Sequence, residues 1–353
     1  MCLVLFWYGA TSEVPWLFLL AWWVLSLVAA AAGYAAWNRS GLSLQLAVRN
    51  TVIGAGSPAE QLPEQVLQRG PIPAPVFEGD GFGLEIAIQA SRGARGPVWA
   101  LGLVGDRSIS AGTGLVPKGV WSRVEALPAL RRGPVAARGW RIHTSDPLGF
   151  FRGVRPTPDS EIALILPRFA SLAGRREPRE LEASLPVPRA GSGNELFGIR
   201  EYRPGDSLRR IHWRSSARHG ELVVREYEPP GVQSLAICLD PQPPTPEVAD
   251  QIARIAASEA WDCIQEGGQV VVWAPGLEPS QSPRDLWSQL EWLARYPNNP
   301  SGGVPRSGRQ EVVVITASAD EDLLANASRA WVVGDVEIDT DVPFERVGLQ
   351  WPL

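Results

Sequence analysis

From Val14 to Trp37 the chain runs for 24 residues without a charge, dominated by Leu, Ala, Val and Trp. A helix needs about 20 such residues to cross a hydrocarbon core, so this run constrains the fold more than any other segment. Trp16 near one end, and Tyr34 and Trp37 near the other, match the aromatic belts of membrane interfaces. A cleavable signal peptide would need a basic leader and a shorter apolar region, and no basic residue precedes Glu13. The run therefore reads as a membrane helix, with a buried helix of a soluble domain as the alternative. Arg39 and Arg49 follow the span and Glu13 is the one charge before it, which by the positive-inside tendency puts the body in the cytoplasm. Met1 to Ala10 is also apolar but half a span long. It either lies in the interface or is what remains of a truncated first helix.

At 353 residues the chain exceeds one ordinary core, so two folded units beside the anchor are expected. A net charge of −5 argues against a general nucleic-acid binder. Lys118 is the only lysine among 33 basic residues, a bias that a GC-rich coding sequence would produce. Cys2, Cys238 and Cys263 form no metal-like spacing, and Cys238 sits in an apolar run, which fits a reducing compartment without disulfides.

Leu42, Leu44, Leu46 and Val48 alternate with Ser43, Gln45 and Ala47, the pattern of a strand with one buried face. Phe82, Leu84, Ile86 and Ile88 repeat it, and 98–104 and 162–166 are further strands bounded by Gly and Pro. No amphipathic helix is evident between Leu42 and Pro167, so a small β-sandwich is expected there. Within it, Asp146-Pro-Leu-Gly149 reads as a turn held by the Asp146 side chain. After Ala170 the chain becomes a charged, Pro-rich linker. Beyond residue 233 strands and helices alternate: a strand over 234–239 ending at Asp240, a helix with Val248, Ile252, Ile255, Ala256, Glu259 and Cys263 in step, and a strand over 269–273. A helix starting at Ser282-Pro-Arg-Asp285, with Ser282 as cap and Leu286, Leu290 and Leu293 inward, comes next, then strands over 311–316, 330–333 and 345–349. Alternation of this kind predicts a parallel sheet covered on both faces.

Between the two units lies a segment rich in planar, hydrogen-bonding side chains. Arg200, Arg203, Arg209, Arg210, Arg214 and Arg218 are interleaved with Glu195, Glu201 and Asp206, and Tyr202, Gly205, His212, Trp213 and Ser216 stand among them. Guanidinium groups pair bidentately with carboxylates and stack on indole faces. Arg-Glu-Tyr-Arg-Pro-Gly-Asp, then Arg-Arg-Ile-His-Trp and Ser-Ala-Arg, resemble the signature of the family called domain of unknown function 58. Arg138 to Arg152, a strand leading into the Asp-Pro-x-Gly turn, resembles a second element of that family.

The resemblance implies an α/β plus all-β chain: a transmembrane helix, a β-sandwich, then a doubly wound von Willebrand factor type A-like domain. Its expected boundaries are an anchor over 1–38, the sandwich over 39–168, the linker and signature over 169–231, and the α/β domain over 232–353. It also implies a non-enzymatic adaptor or scaffold for a MoxR-type AAA+ ATPase, in cell-envelope maintenance or complex assembly, with the signature as an interaction surface. Type A domains hold a divalent ion through Asp-x-Ser-x-Ser, whereas Asp240 is followed here by Pro241, Gln242, Pro243, Pro244 and Thr245. Asp240 is thus a weak metal candidate, Thr316-Ala-Ser-Ala-Asp320 could rebuild only part of a site, and no cofactor is expected. Two further readings stay open for the signature: internal charge pairing between domains, and a hydrolase-like site with His212 as base oriented by Asp206 or Glu201. No serine or cysteine nucleophile elbow and no phosphate loop accompanies that histidine.

Overall fold

A computed structural model describes residues 2–12, 15–67, 70, 75–175, 196–201, 223–227, 234–303, 311–325 and 327–353. The chain divides into two compact units, Met1–Arg168 with Leu290–Asn298, and Phe169–Gln289 with Asn299–Leu353.

The first unit opens with two helices, α1 (Cys2–Ser12) and α2 (Pro15–Arg39), packed together with the rings of Phe6 and Phe18 edge-on at 5.3 Å, and a single-turn helix α3 (Glu64–Leu67) lies further along it. Among the described residues α2 is the one helix long and apolar enough to cross a membrane. It does not behave as a core helix, because Trp23 keeps 76% of its surface exposed and Trp16, Leu19 and Trp22 are exposed with it.

Strands β1 (Leu42–Val52), β3 (Gly81–Ala90) and β6 (Gly119–Pro128) form a three-stranded antiparallel sheet in the order β1-β3-β6. A second sheet has the order β2-β9-β7-β4-β5, built from β2 (Val76–Phe77), β9 (Ser160–Leu166), β7 (Gly133–Ser145), β4 (Val98–Val104) and β5 (Arg107–Thr113), with β8 (Arg152–Pro156) added on β7. The period-2 rule explains the core. Leu84, Ile86 and Ile88 of β3 are fully buried, and they join Val98, Ala100, Trp140 and Ile142 of the second sheet in one apolar cluster. Trp140 donates its indole N–H to the Leu103 carbonyl at 3.0 Å. Its ring occupies the space that a Cβ on Gly102 would need, 2.3 Å away.

The end of α2 is spliced into this unit without a spacer. Asn38 is fully buried, donates to the Ser145 carbonyl at 3.0 Å and accepts from the Gly96 N–H at 2.9 Å. Tyr34 donates its hydroxyl to the Gly96 carbonyl. Arg95 is buried with its guanidinium 3.7 Å from the Trp37 ring centre and donates to the Ser40 carbonyl.

The second unit holds a five-stranded parallel sheet, as the alternation predicted. Its order is β13-β12-β14-β15-β16, from β12 (Ser234–Leu239), β13 (Gln269–Trp273), β14 (Glu311–Thr316), β15 (Arg329–Val333) and β16 (Phe344–Val347). Numbered from β12 this is 2-1-3-4-5, one of the two common doubly wound orders. Helix α4 (Pro246–Gln265) connects β12 to β13, capped by the Thr245 hydroxyl with proline at its first position. Polar α4 residues that lie buried are used. Glu259 takes a bidentate pair from Arg329 and the indole N–H of Trp331, while Ser258 and Asp262 accept the backbone N–H groups of Ala170 and Leu172.

One expected boundary is corrected. Helix α5 runs over Leu286–Arg295, with Leu286, Leu290 and Leu293 buried as expected, but Ser282 does not cap it. Ser282 has a positive φ of 53°, and the Pro283 carbonyl accepts from Val270 N–H of β13. The segment is thereby held to the sheet as a turn, and Asp285 accepts the Trp287 N–H instead.

Candidate functional site

In open parallel sheets, ligands sit outside the carboxyl ends of the strands where the strand order reverses. Here that position lies between β12 and β14. Asp240 follows the last residue of β12, and Thr316 ends β14. The Asp240 carboxylate is buried at 2% exposure and accepts from Gln242 N–H at 2.9 Å through Oδ1, and from Ala317 N–H and the Thr316 hydroxyl through Oδ2, both at 3.2 Å. Thr316 Oγ1 accepts in turn from Ser318 N–H at 2.9 Å. Asp320 caps the short helix α6 (Glu321–Leu324) by accepting Asp322 N–H.

These residues do not fit a divalent ion. Both Asp240 oxygens are engaged by the protein, and Pro241, Pro243 and Pro244 bring no side-chain donor. Hard cations need several convergent oxygens, and no group of three or more His, Cys, Asp or Glu is assembled among the described residues. The arrangement locks two loop starts together. Its field reaches Cys238 in β12: burial, then the charges of Asp240 and Asp320, push the thiol up to about 12. A thiol held in that range is protonated at neutral pH and is a poor nucleophile.

The arginine-rich signature begins on a described strand. Strand β10 (Leu196–Glu201) pairs antiparallel with β11 (Val223–Tyr227), with Arg200 opposite Val224 and Glu201 opposite Val223. Two of the expected signature residues are thus adjacent on one two-stranded ribbon. Glu195, Tyr202, Gly205, Asp206, Arg209, His212, Trp213, Ser216 and Arg218 lie outside the described residues.

In the first unit, the Asp146 turn forms as the sequence indicated. Its carboxylate accepts Leu148 N–H at 2.9 Å and Phe151 N–H at 2.6 Å, and Gly149 takes a φ of 74°. Burial alone would raise its pKa, but these backbone donors outweigh that and hold it below the usual 3.8. The turn leaves Leu148 and Phe150 exposed. A cleft of about 440 Å³ between the free edges of β5 and β6 is lined by Arg107, Ser108, Ser110, Arg123 and Glu125. Sequence reasoning missed the structural roles of Asn38 and Arg95. A buried polar pair straight after an uncharged helix is visible only once the strands are paired.

Residues 198–273 match the family described as Protein of unknown function DUF58. The matched stretch runs from the signature ribbon through β12 and α4 to the end of β13, so it joins the signature to the switch-point strand. Uncharacterized protein YeaD of Bacillus subtilis (strain 168) is 23% identical over 217 residues, covering 56% of this chain and 54% of that protein. The match thus spans about half the length of that relative.

Proposed function

We propose that this chain is a membrane-anchored adaptor without a reaction of its own, which presents its cytoplasmic body to a MoxR-type AAA+ ATPase. In this reading the two sheets of the first unit form a β-sandwich, and the parallel sheet is a degenerate von Willebrand factor type A-like domain. The observation that carries it is Asp240. At the position where an α/β sheet would hold a ligand, the Asp240 carboxylate is taken up by hydrogen bonds within the protein. Recognition then falls to the Arg-Trp-Tyr signature joined to β12 by the matched stretch, and these side chains dominate protein interfaces. Helix α2, with its bare tryptophans, supports the anchor.

The test is co-purification of the full chain, in detergent, with a MoxR-type ATPase encoded in the same genome. Binding is expected, and Arg209→Ala combined with Trp213→Ala weakens it at least tenfold in a protein that retains its thermal transition. No binding by the unaltered chain overturns the adaptor reading. His212→Gln is expected to leave cellular function intact, and complete loss in a folded protein would mean proton transfer instead.

A further inference from the structure

The strand directions define one end of the first unit by its neighbour, α2. Strand β4 starts beside Asn38, with Gly96 N–H and the Ser145 carbonyl both bonded to that side chain. Because β7 runs antiparallel to β4, with Thr144 opposite Val98, β7 runs toward α2 and its turn over 146–151 lies at that end. Thr113 also pairs with Val98, and Gly119 with Ala90, so the loop over 114–118 and the loop over 91–97 belong to the same end. The Tyr34 hydroxyl reaches the Gly96 carbonyl, five residues before Arg39. At ~1.5 Å per residue, that loop lies alongside α2 roughly 7 Å back from its last residue, level with the Tyr34 and Trp37 belt.

These loops carry a consistent surface. Leu115, Leu148 and Phe150 are 60%, 51% and 58% exposed. Arg92, Lys118 and Arg152 are exposed around them. The one carboxylate in the three loops is Asp146, which is buried and spent on its own turn. Apolar tips ringed by cations suit an interfacial layer beneath anionic headgroups.

We propose that this end of the unit docks on the bilayer surface, with Leu115, Leu148 and Phe150 entering the interface and Arg92, Lys118 and Arg152 facing anionic lipid headgroups. The inference rests on the anchor reading of α2 and adds a second membrane contact to it. Covalent continuity with α2, at a junction with no spacer, brings the loops to the surface, and the charge pattern selects lipid over a protein partner.

The test uses the full chain with Cys2→Ser, reconstituted in phosphatidylcholine and phosphatidylglycerol vesicles containing nitroxide-labelled lipids. Cys238 and Cys263 are buried and need no replacement. An environment-sensitive fluorophore is placed in turn at Leu115→Cys, Phe150→Cys, Leu25→Cys in α2, and Asp106→Cys in the β4–β5 turn at the opposite end. Quenching by a shallow nitroxide is expected at 115 and 150, at least threefold above that at 106, and quenching by a deep nitroxide at 25. If 25 is quenched while 115 and 150 match 106, docking is refuted and the anchor stands. If 25 is unquenched as well, both fall. Fluorophores at 115 and 150 that are shielded from water yet unquenched by lipid nitroxides would mean a protein covers this face, which also overturns the proposal.

Discussion

Replacing Arg329 by methionine tests how the second unit is held together. Glu259 is fully buried on α4, and its carboxylate receives Arg329 at 2.5 and 2.6 Å and the Trp331 indole at 2.8 Å. Burial opposes the Arg329 charge, but the Glu259 hydrogen bonds and charge outweigh it and hold the guanidinium more firmly protonated than usual. Arg329→Met removes the cation and leaves a carboxylate of zero exposure without its counter-charge, a loss of about 3–5 kcal/mol. At about 2–4 °C per kcal/mol for a unit of this size, the thermal midpoint falls by about 6–20 °C. Glu259→Gln is milder, because Arg329 keeps Glu311 at 3.3 Å. The double variant Glu259→Met with Arg329→Met recovers at least half of the Arg329→Met loss, since no buried charge remains. The assay is thermal unfolding of the full chain in detergent, followed by near-ultraviolet circular dichroism for the double-mutant cycle. A single-variant loss under 1 kcal/mol, or losses that simply add in the double variant, would refute the reasoning.

Three other outcomes are expected. Gly102→Ala forces a Cβ into the Trp140 ring and costs about 1–3 kcal/mol through overpacking, read as a lower unfolding midpoint, whereas Gly105→Ala, which meets nothing within 4 Å but has a φ of 56°, loses less. The Asp146 turn is stabilised by a carboxylate whose folded pKa lies below 3.8, so its contribution is complete above that pH and is lost as pH falls through the folded value. Faster amide exchange at Leu148 and Phe151 on acidification checks this, and Asp146→Ala should show the fast exchange at every pH. Cys238, with its thiol pushed up to about 12, should resist iodoacetamide at pH 8 in the folded protein and react within minutes in urea.

What could be read from the residues follows the strength of each local pattern. The alternations over 42–48 and 82–88 and the apolar runs over 234–239 and 311–316 lie within β1, β3, β12 and β14. Strands β5 and β6 were not legible. β5 buries only Ile109 and Ala111, and β6 only Leu127, with Val120 and Val124 exposed, because both are edge strands. Ser282-Pro283 carries a sound cap signature, and tertiary bonding overrode it. Gln289 Nε2 donates to the Gln281 and Ser282 carbonyls and Val270 N–H takes the Pro283 carbonyl, so that backbone is committed before the helix starts. At the sites, Asp146 and Asp240 were legible because their bonds are local or lie at a strand end. Asn38 and Arg95 were not, since each gains its meaning from partners on other elements.

The junction at Asn38 turns α2 and the strands beyond it into a single lever. Helices in bilayers change their lean when the hydrocarbon layer thins or thickens. With side-chain bonds to both Gly96 and Ser145 there is no swivel to absorb such a lean. Strand β4 extends seven residues from that pivot, about 23 Å at ~3.3 Å each, so a lean of roughly 20° would sweep its far tip by about 8 Å. On the anchor reading of α2, membrane thickness would thus be written directly into where the distal turns of this unit stand.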